Sequence, residues 1–381
     1  MEENEDASDK QPFTVLIAAG GTGGHFYPAL TVAYSLRERG ARPVFAVAGQ
    51  HTAEHRELAE REQFETVGLQ AIRLPAKRLG TPIFFARLIR SVLHSLSPVR
   101  HFRPDCILGM GSFASVPVGL AAPLTRTPLV LHEGNAIPGR ANRFLSRFAQ
   151  CLMYSMPTVD VSAIHCKASF SGMPVRRELV EAAEEGVDAP RSLYHAWGLD
   201  PDLATVLAFG GSQGARYINE QLPPAVKRLG GAVCSRFQLI HLTGAEDNTR
   251  LQQEYEAAGL KAHVTGKEER MEKCYRMADL VISRAGASTI SELALYGIPA
   301  LLIPLPNAMD DHQRANADAL AHRGAGVWTP QENFTSERCA EYIQDWLDSP
   351  GEWQKLGHNI GKFAAPNAAD AIAQTLTEAV S

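Results

Sequence analysis

Cysteine is scarce in this 381-residue sequence, and its spacing suggests no use for it. The six cysteines stand apart, and no two are spaced Cys-x-x-Cys. The sequence therefore indicates neither a zinc site nor a disulfide framework, and scattered thiols are typical of a reducing compartment. One Asp-x-Asp motif, at 200–202, precedes a predicted strand. We interpret it as a turn, and we expect no metal site and no cofactor.

An excess of basic residues is also missing, because 37 lysines and arginines stand against 42 aspartates and glutamates. This balance argues against general nucleic-acid binding, and we expect no nucleic-acid partner.

The longest uncharged stretch, 106–125, contains three glycines and two prolines, which favours a strand, a turn and a helix over a membrane span. Residues 1–10 are acidic and lack the apolar core of a signal peptide, so we expect a disordered tail and no secretion.

Apolar, strand-like runs alternate with helical patterns along the chain. This alternation indicates βαβ units and parallel sheets, so we predict an α/β fold. The predicted strands are 13–19, 43–47, 105–108, 128–131, 151–154, 204–209, 237–241, 279–283 and 299–303. The clearest predicted helices are 28–39, 84–95, 140–149, 288–296 and 313–322.

The two halves of the chain look alike. Thr14-Val15-Leu16 leads into glycines at 20–24, and Thr205-Val206-Leu207 leads into a similar loop at 210–214, about 190 residues later. This duplication predicts two Rossmann-like domains with parallel sheets that face a cleft, where a ligand would bind. A glycine-proline junction near 172–175 is the predicted linker.

The first glycine loop is followed by His25 and is typical of an anion site at a helix start. It is not a dinucleotide fingerprint, because Phe26 replaces the third glycine and the second strand ends without an acid. Nor is it a P-loop, because His25 stands where the lysine is expected. A histidine at the edge of such a site can move protons near neutral pH.

Two polar segments of the second half suggest a ligand that carries phosphate and sugar. Residues 283–292 follow a predicted strand and open a helix with small residues, serine and threonine, which exposes backbone donors to an anion. Glu292, about one turn in, suits ribose hydroxyls, although it would also compensate the helix dipole. Residues 310–316 offer amides and a histidine that suit sugar hydroxyls.

With these motifs the chain resembles the MurG family, the N-acetylglucosaminyltransferases that complete the lipid-linked peptidoglycan precursor. The likeness covers nearly all of the chain after the acidic tail. Its motifs are Gly-Gly-Thr-Gly-Gly-His at 20–25, His-Glu-x-Asn at 132–135, Gly-x-Pro-Val-Arg at 172–176, Gly-Gly-Ser-Gln-Gly-Ala at 210–215, Ser-Arg-Ala-Gly-Ala-Ser-Thr-x-Ser-Glu at 283–292 and Asp-Asp-His-Gln-x-x-Asn at 310–316.

The resemblance implies a two-domain fold of the GT-B glycosyltransferase type. Residues 11–173, with a C-terminal helix at about 352–381, would face the membrane and hold the acceptor, undecaprenyl-pyrophosphoryl-MurNAc-pentapeptide (lipid I). Residues 174–351 would hold the donor, UDP-N-acetylglucosamine. Transfer to the muramoyl 4-hydroxyl, with inversion, would give lipid II. The resemblance also implies a peripheral protein on the cytoplasmic face of the bacterial plasma (inner) membrane, with the cell-wall and division machinery as partners.

Residue by residue, the resemblance implies a set of donor contacts. The donor sugar and diphosphate would lie by Thr22, Gly23 and Gly24. The sugar hydroxyls would contact Asn135 and Gln313, and the diphosphate would contact Arg176 and Ser212. Phosphate and ribose would be bound by Ala287, Ser288, Thr289, Ile290, Ser291 and Glu292, with Glu292 on the ribose. The uracil-reading segment departs from the family pattern at 267–271, where Glu268 is our candidate. Gly134 departs as well, because the family commonly has glutamine there.

An inverting transfer needs a base for the acceptor hydroxyl and stabilisation of the leaving diphosphate. His25 is our first candidate for the base and Glu133 the second; the alternative for His25 is a structural role in the glycine loop.

For the membrane contact, the basic and apolar stretch 77–103 is the candidate, because such a stretch suits anionic lipid. The patch comprises Ile83, Phe84, Phe85, Arg87, Leu88 and Arg90. The alternative is an ordinary helix with one buried and one solvated face.

Two other functions stay open from the sequence. One is another GT-B enzyme that uses a UDP-sugar, with a soluble acceptor or acting as an epimerase. The other is a UDP-sugar-binding module without catalysis.

Overall fold

The computed structural model describes residues 12–20, 23–49, 51–69, 82–157, 160–186, 189–210, 216–244 and 248–379. The expected tail at 1–10 and two expected donor contacts, Thr22 and Ser212, lie outside the described residues.

Two parallel sheets organise the described residues, and six strands of each follow the same order, with a seventh strand added at one edge of the first sheet. In the first sheet the order is β3-β2-β1-β4-β5-β6-β7, and in the second it is β10-β9-β8-β11-β12-β13. The strands are β1 (Thr14–Gly20), β2 (Arg42–Ala48), β3 (Glu65–Gly68), β4 (Cys106–Gly109), β5 (Leu129–Glu133), β6 (Cys151–Tyr154), β7 (Lys167–Phe170), β8 (Ala204–Phe209), β9 (Phe237–Leu242), β10 (Ala262–Thr265), β11 (Leu280–Ser283), β12 (Ala300–Leu302) and β13 (Val327–Trp328). The two predicted Rossmann-like domains are therefore confirmed.

Helices connect the strands and cover both faces of each sheet. They are α1 (Gly23–Glu38), α2 (Thr52–Arg61), α3 (Pro82–Phe102), α4 (Ser115–Thr125), α5 (Arg140–Leu145), α6 (Arg177–Glu184), α7 (Arg191–Ala196), α8 (Arg216–Leu229), α9 (Gly231–Cys234), α10 (Asn248–Ala257), α11 (Met271–Met277), α12 (Ala287–Tyr296), α13 (His312–Ala321), α14 (Ser336–Asp348), α15 (Pro350–Gly361) and α16 (Ala368–Glu378).

The central strands are mainly apolar because both faces of each sheet are buried there. In β1, Val15 and Ile17 pack into one cluster of the core, while Leu16 points to the opposite cluster. In β8, Val206 and Leu207 divide between two clusters in the same way. Successive side chains of a strand point to opposite faces, so a run of apolar residues fills two layers at once.

The chain crosses between the domains twice. The first crossing, residues 171–176, has no regular secondary structure and lies where the linker was predicted. The second crossing precedes α16, whose Ile372 and Leu376 are buried in the core of the first sheet. The crossings touch each other: Gly172 has a φ of +80°, and a Cβ there would lie 2.1 Å from Cβ of Ala365. Only glycine fits this backbone and this approach.

The C-terminal segment returns to the first domain later than expected. Trp353 and Ile360 of α15 are buried in the core of the second domain. Ser35 of α1 instead donates a 2.6 Å hydrogen bond to Asp370 of α16. The expected boundary at about 352 is therefore too early, because α15 packs on the second sheet and only α16 packs on the first.

The first helix starts earlier than predicted, at Gly23 rather than at Pro28. N–H groups in a first turn have no intrahelical partner, so residues of low helix propensity are tolerated there. The consequence is local but important: Gly23, Gly24 and His25 belong to the first turn of α1, and not to a loop before it.

Candidate active site

The sequence motifs meet where the carboxyl ends of the two sheets face each other, the usual place for ligands in such folds. Gly134, after β5, lies against both the linker and the second domain. A Cβ at Gly134 would lie 2.5 Å from Cε of Met173 and 3.6 Å from Cβ of Ala287. Gly134, which stands where the family commonly has glutamine, therefore lies at a close contact between the loop after β5 and the start of α12.

Glu133 is buried, and its carboxylate organises the loop after β5. Oε1 accepts hydrogen bonds from the backbone N–H of Asn135 at 3.0 Å and from its side chain at 3.2 Å. Oε2 accepts from the N–H of Gly139 at 2.8 Å and from Nδ2 of Asn142 at 2.9 Å. Four donors on one carboxylate hold the loop in a single shape.

Asn316, on α13, joins this loop to the second domain. It is fully buried. Its Oδ1 accepts from the N–H of Ala136 at 2.8 Å, and its Nδ2 donates to Oδ1 of Asn135 at 3.2 Å and to the carbonyl of Ala285 at 3.1 Å. Asn135 is thus held from both domains.

His25 lies in the first turn of α1, against Gly111. A Cβ at Gly111 would lie 3.3 Å from Cδ2 of His25. Burial, and secondly the charge of His312 on α13, lower the pKa of His25 from 6.5 to about 4. The imidazole is therefore neutral at neutral pH and a weaker base than an exposed histidine. His312 belongs to the second domain, so His25 faces the cleft between the domains.

The start of α12 exposes donors. Its N-cap residue, Gly286, provides no side-chain cap, so the first N–H groups of the helix are available to an anion. The buried Oγ of Ser288 has no hydrogen-bond partner among the described residues. Ser291 bonds back to the carbonyl of Ala287 at 3.0 Å, and the side chain of Ile290 is buried in the core. Any ligand contact of Ile290 must therefore use its backbone.

Glu292 follows one turn later and faces Tyr275 and Arg176. The hydroxyl of Tyr275 donates to Oε2 of Glu292 at 2.6 Å. Burial raises the pKa of Glu292, while the Tyr275 hydrogen bond and the charge of Arg176 act in the opposite direction. Arg176, at the end of the linker, also lies over the ring of Tyr27, 6.0 Å from its centroid.

Gln313 and the loop before it complete the second domain's side of the cleft. Oε1 of Gln313 accepts from the N–H of Leu305 at 2.9 Å, which fixes the amide. Asp310 has a positive φ and forms an ion pair with Arg140 of the first domain at 2.5 Å. Arg284 is buried and donates to the carbonyl of Ile303 at 3.1 Å, so it supports the same loop.

Two other polar segments from the sequence analysis have partners outside the group described above. Glu268 precedes α11, and its Oε1 accepts from the N–H of Arg270 at 2.8 Å. Asp200 and Asp202 lie in a turn before β8 and pair with Lys261 and Arg191 respectively, as the turn interpretation expects. Within the ranges that the structure describes, no group of three or more His, Cys, Asp or Glu side chains could hold a metal ion.

The predicted membrane patch lies on α3, which buries Leu96 and Val99 on its inner face. Its outer face is apolar, with Ile83, Phe85, Ile89 and Leu93 each more than half exposed. Phe84 and Leu88 are half-buried, and Arg87 and Arg90 are exposed beside this face. No helix among the described residues is both long and apolar enough to cross a membrane.

Four residues of the site were missed by the sequence predictions: His132, Asn142, Tyr275 and Asn316. His132 is buried, and its Nε2 lies 3.2 Å from the carbonyl of Gly172 and 3.0 Å from Oγ of Ser155. His132 and Asn316 belong to quoted motifs. The amides of 310–316 were expected on sugar hydroxyls, but Asn316 instead forms hydrogen bonds with the loop after β5. Tyr275 gave no signal, because a tyrosine in a helical pattern is read as core.

Two family models match the chain. Residues 15–154 match the glycosyltransferase family 28 N-terminal domain, and residues 205–372 match the glycosyltransferase family 28 C-terminal domain. Together with the paired sheets and the cleft, they define a two-domain glycosyltransferase of the GT-B type.

Similarity to individual proteins narrows the class. The UDP-N-acetylglucosamine--N-acetylmuramyl-(pentapeptide) pyrophosphoryl-undecaprenol N-acetylglucosamine transferase of Shewanella frigidimarina is 34% identical over 98% of this chain and 97% of its own. The crystal structure of Acinetobacter baumannii MurG has a TM-score of 0.77 at 29% identity, over 96% of this chain and all of that one. The chain belongs to the MurG family.

The fold itself is shared more widely. A UDP-GlcNAc 2-epimerase from Neisseria meningitidis has a TM-score of 0.66 at 15% identity, over 96% of this chain and all of its own. This likeness concerns the fold alone.

Proposed function

We propose that this enzyme transfers N-acetylglucosamine from UDP-N-acetylglucosamine to the muramoyl 4-hydroxyl of lipid I, giving lipid II for peptidoglycan synthesis. Transferases named for this reaction match the chain over almost its whole length. The observation that carries the proposal is the placement of His25, against Gly111 and within electrostatic reach of His312 of the second domain, in the cleft that the uncapped start of α12 also borders. A proton acceptor and an anion site thus share one cleft.

In this proposal each domain holds one substrate. The second domain binds most of the donor: the start of α12 and Arg176 take the diphosphate, Glu292 the ribose and Gln313 the sugar. Asn135 of the first domain contacts the sugar from the other side of the cleft. The first domain, residues 11–173 with α16, binds the acceptor. In one displacement the muramoyl oxygen bonds to the anomeric carbon while the bond from that carbon to the diphosphate oxygen breaks. The acceptor proton passes to His25, and the electron pair leaves with UDP.

Glu133 has a different role in this mechanism. Its two oxygens already accept four hydrogen bonds within the loop after β5. A base needs access to the acceptor hydroxyl, so we assign Glu133 to positioning Asn135 and assign proton transfer to His25.

The membrane contact is proposed for the outer face of α3. Phe85, Ile89 and Leu93 are spaced four residues apart and form one exposed stripe, with Arg87 and Arg90 beside it. Apolar side chains enter the headgroup region while arginines meet anionic lipid. This supports a peripheral protein on the cytoplasmic face of the plasma membrane, where the lipid-linked acceptor is made.

The activity is tested with radiolabelled UDP-N-acetylglucosamine and a lipid-linked muramoyl-pentapeptide. We expect label in the lipid product together with stoichiometric UDP. Two incubations test the alternatives. With UDP-N-acetylglucosamine alone, an epimerase would convert it to the 2-epimer. With UDP-N-acetylglucosamine and the acceptor together, a binding module would leave the sugar nucleotide unchanged. Either result would overturn the proposal.

The membrane contact is tested separately with vesicles of anionic phospholipid. Phe85→Ser/Ile89→Ser removes two exposed apolar side chains, and we expect the partition coefficient to fall at least about tenfold, since each buried CH₂ contributes about 0.8 kcal/mol. Val161→Ser, an exposed apolar residue outside α3, is the matched control. Unchanged vesicle binding by the double variant would refute the α3 surface.

A further inference from the structure

Tyr275 lies behind Glu292 and has no role in the reaction described above. It is buried on α11, and its hydroxyl donates to Oε2 of Glu292 at 2.6 Å. Because the carboxylate lies on α12, this bond joins two helices of the second domain. A short bond from a neutral donor to a carboxylate is one of the stronger protein hydrogen bonds.

Aromatic neighbours fix the ring of Tyr275. Its centroid lies 5.4 Å from that of Tyr296 and 6.4 Å from that of Phe209. Phe209 is the last residue of β8, directly before the second glycine loop. A ring held on two sides has little rotational freedom, so the hydroxyl is presented in one direction.

The bond leaves the carboxylate half engaged. Oε2 of Glu292 is occupied by Tyr275, and no other hydrogen bond to Glu292 is found among the described residues. Arg176 adds a positive charge nearby. Oε1 is therefore the oxygen that can accept from a ligand, and its direction is set once Oε2 is fixed.

We propose that Tyr275 is a positioning residue for nucleotide binding, whose hydroxyl holds Glu292 in the orientation that accepts hydrogen bonds from the ribose. The inference rests on the proposed function, because it takes the ribose as the partner of Glu292. Tyr275 itself touches no substrate. Its effect is to fix the free oxygen of Glu292 before the nucleotide arrives, which lowers the cost of binding.

The test compares binding of UDP with that of 2′-deoxy-UDP and 3′-deoxy-UDP to the full-length enzyme by calorimetry. The wild type prefers UDP to the deoxy analogues by about tenfold or more, the usual value of a hydrogen bond to a charged group. In Tyr275→Phe we expect UDP to bind about tenfold more weakly and the deoxy analogues to bind as before, so the preference collapses. In turnover, KM for UDP-N-acetylglucosamine rises while kcat stays within about twofold.

Tyr296→Phe is the matched control. Its hydroxyl donates to the carbonyl of Leu179 at 2.9 Å and does not touch Glu292, so stability falls while the ribose preference remains. If Tyr275→Phe weakens UDP and the deoxy analogues by the same factor, or changes neither, the positioning role is wrong.

Glu292→Gln separates this failure from failure of the proposed function. If Glu292→Gln abolishes the ribose preference and Tyr275→Phe does not, only the role of Tyr275 is refuted. If the wild type shows no preference, or Glu292→Gln keeps it, the ribose assignment of Glu292 is refuted and the inference with it.

Discussion

At the carboxyl end of the first sheet, the Glu133 carboxylate accepts four hydrogen bonds from its own loop. At the corresponding end of the second sheet, α12 begins without a side-chain cap and the buried Ser288 hydroxyl has no partner among the described residues. The first six strands of each sheet follow the same order, yet the Glu133 carboxylate is satisfied by its own loop, whereas the start of α12 leaves donors open.

This difference separates two tasks that one fold can perform. Buried polar groups are costly when unpaired, so the open donors of α12 are what an anionic ligand would satisfy. The four hydrogen bonds to Glu133 offset much of the cost of burying its carboxylate and hold its loop rigid. In the proposed function, the second domain therefore supplies most of the donor contacts, while the first domain supplies a fixed wall and His25.

The largest effect is expected from His25→Ala, which removes the proton acceptor of the first domain. Loss of a general base lowers kcat by on the order of 1,000-fold. KM for UDP-N-acetylglucosamine should change little, because the donor is held by the other domain. Steady-state kinetics with a lipid-linked acceptor measure both constants. Near-normal turnover would exclude His25 as the base and leave it a structural role in the glycine segment.

Breaking the contact between the domains is expected to have the next largest effect. Asn316→Ala leaves the N–H of Ala136, the Asn135 side chain and the carbonyl of Ala285 without their partner. We expect the free energy of unfolding to fall by about 3 kcal/mol. Each unpaired buried group costs about 1–3 kcal/mol, and hydrogen bonds to water reduce the total. Urea denaturation measures it. Asn359→Ala, which removes two exposed hydrogen bonds, one to the carbonyl of Gly324 and one from Lys362, is the control and should cost much less.

The organisation of the chain, but not its contacts, could be predicted from the sequence. The alternation of strands and helices and the glycine turns after strands revealed both sheets, because local patterns carry that information. The strands missed, β3, β7, β10 and β13, are the edge strands of the two sheets. None of their residues is fully buried, so they carry no apolar run that would reveal them.

The sequence predictions failed where the structure depends on packing between segments that are distant in the chain. Asn316 and Ala136 are 180 residues apart, so no local pattern connects them. α15 and α16 are both amphipathic, and only their tertiary contacts show that one packs on the second sheet and the other on the first. Tyr275 was missed for the same reason, because its hydroxyl has a role only once α11 lies against α12.

The stability of the first domain should also depend on pH, because it buries His132. Burial lowers the pKa of His132 from 6.5 to about 4. Between these values the unfolded chain binds a proton that the folded protein does not, so stability is complete above pH 6.5 and falls as pH decreases toward 4. At about 1.4 kcal/mol for each pH unit, the loss reaches about 3 kcal/mol.

His132→Gln tests this dependence. The amide reaches the carbonyl of Gly172 as Nε2 does, but it cannot be protonated. Melting temperatures between pH 7 and pH 4.5 should therefore fall less steeply in the variant than in the wild type. Parallel curves would show that protonation of His132 does not limit acid stability.

The smallest effect on catalysis is expected from a substitution in α12, at the carboxyl end of the second sheet. Glu292→Gln keeps the shape of the side chain and an acceptor for Tyr275, but it removes the charge that strengthens bonds from the ribose. We expect KM for UDP-N-acetylglucosamine to rise about tenfold with kcat within about twofold, the pattern of an interaction made equally in ground and transition states. Since His25→Ala should show the reverse pattern, the pair of variants tests the division between the domains. A fall in kcat at unchanged KM would mean that Glu292 acts in the displacement itself, and the division would fail.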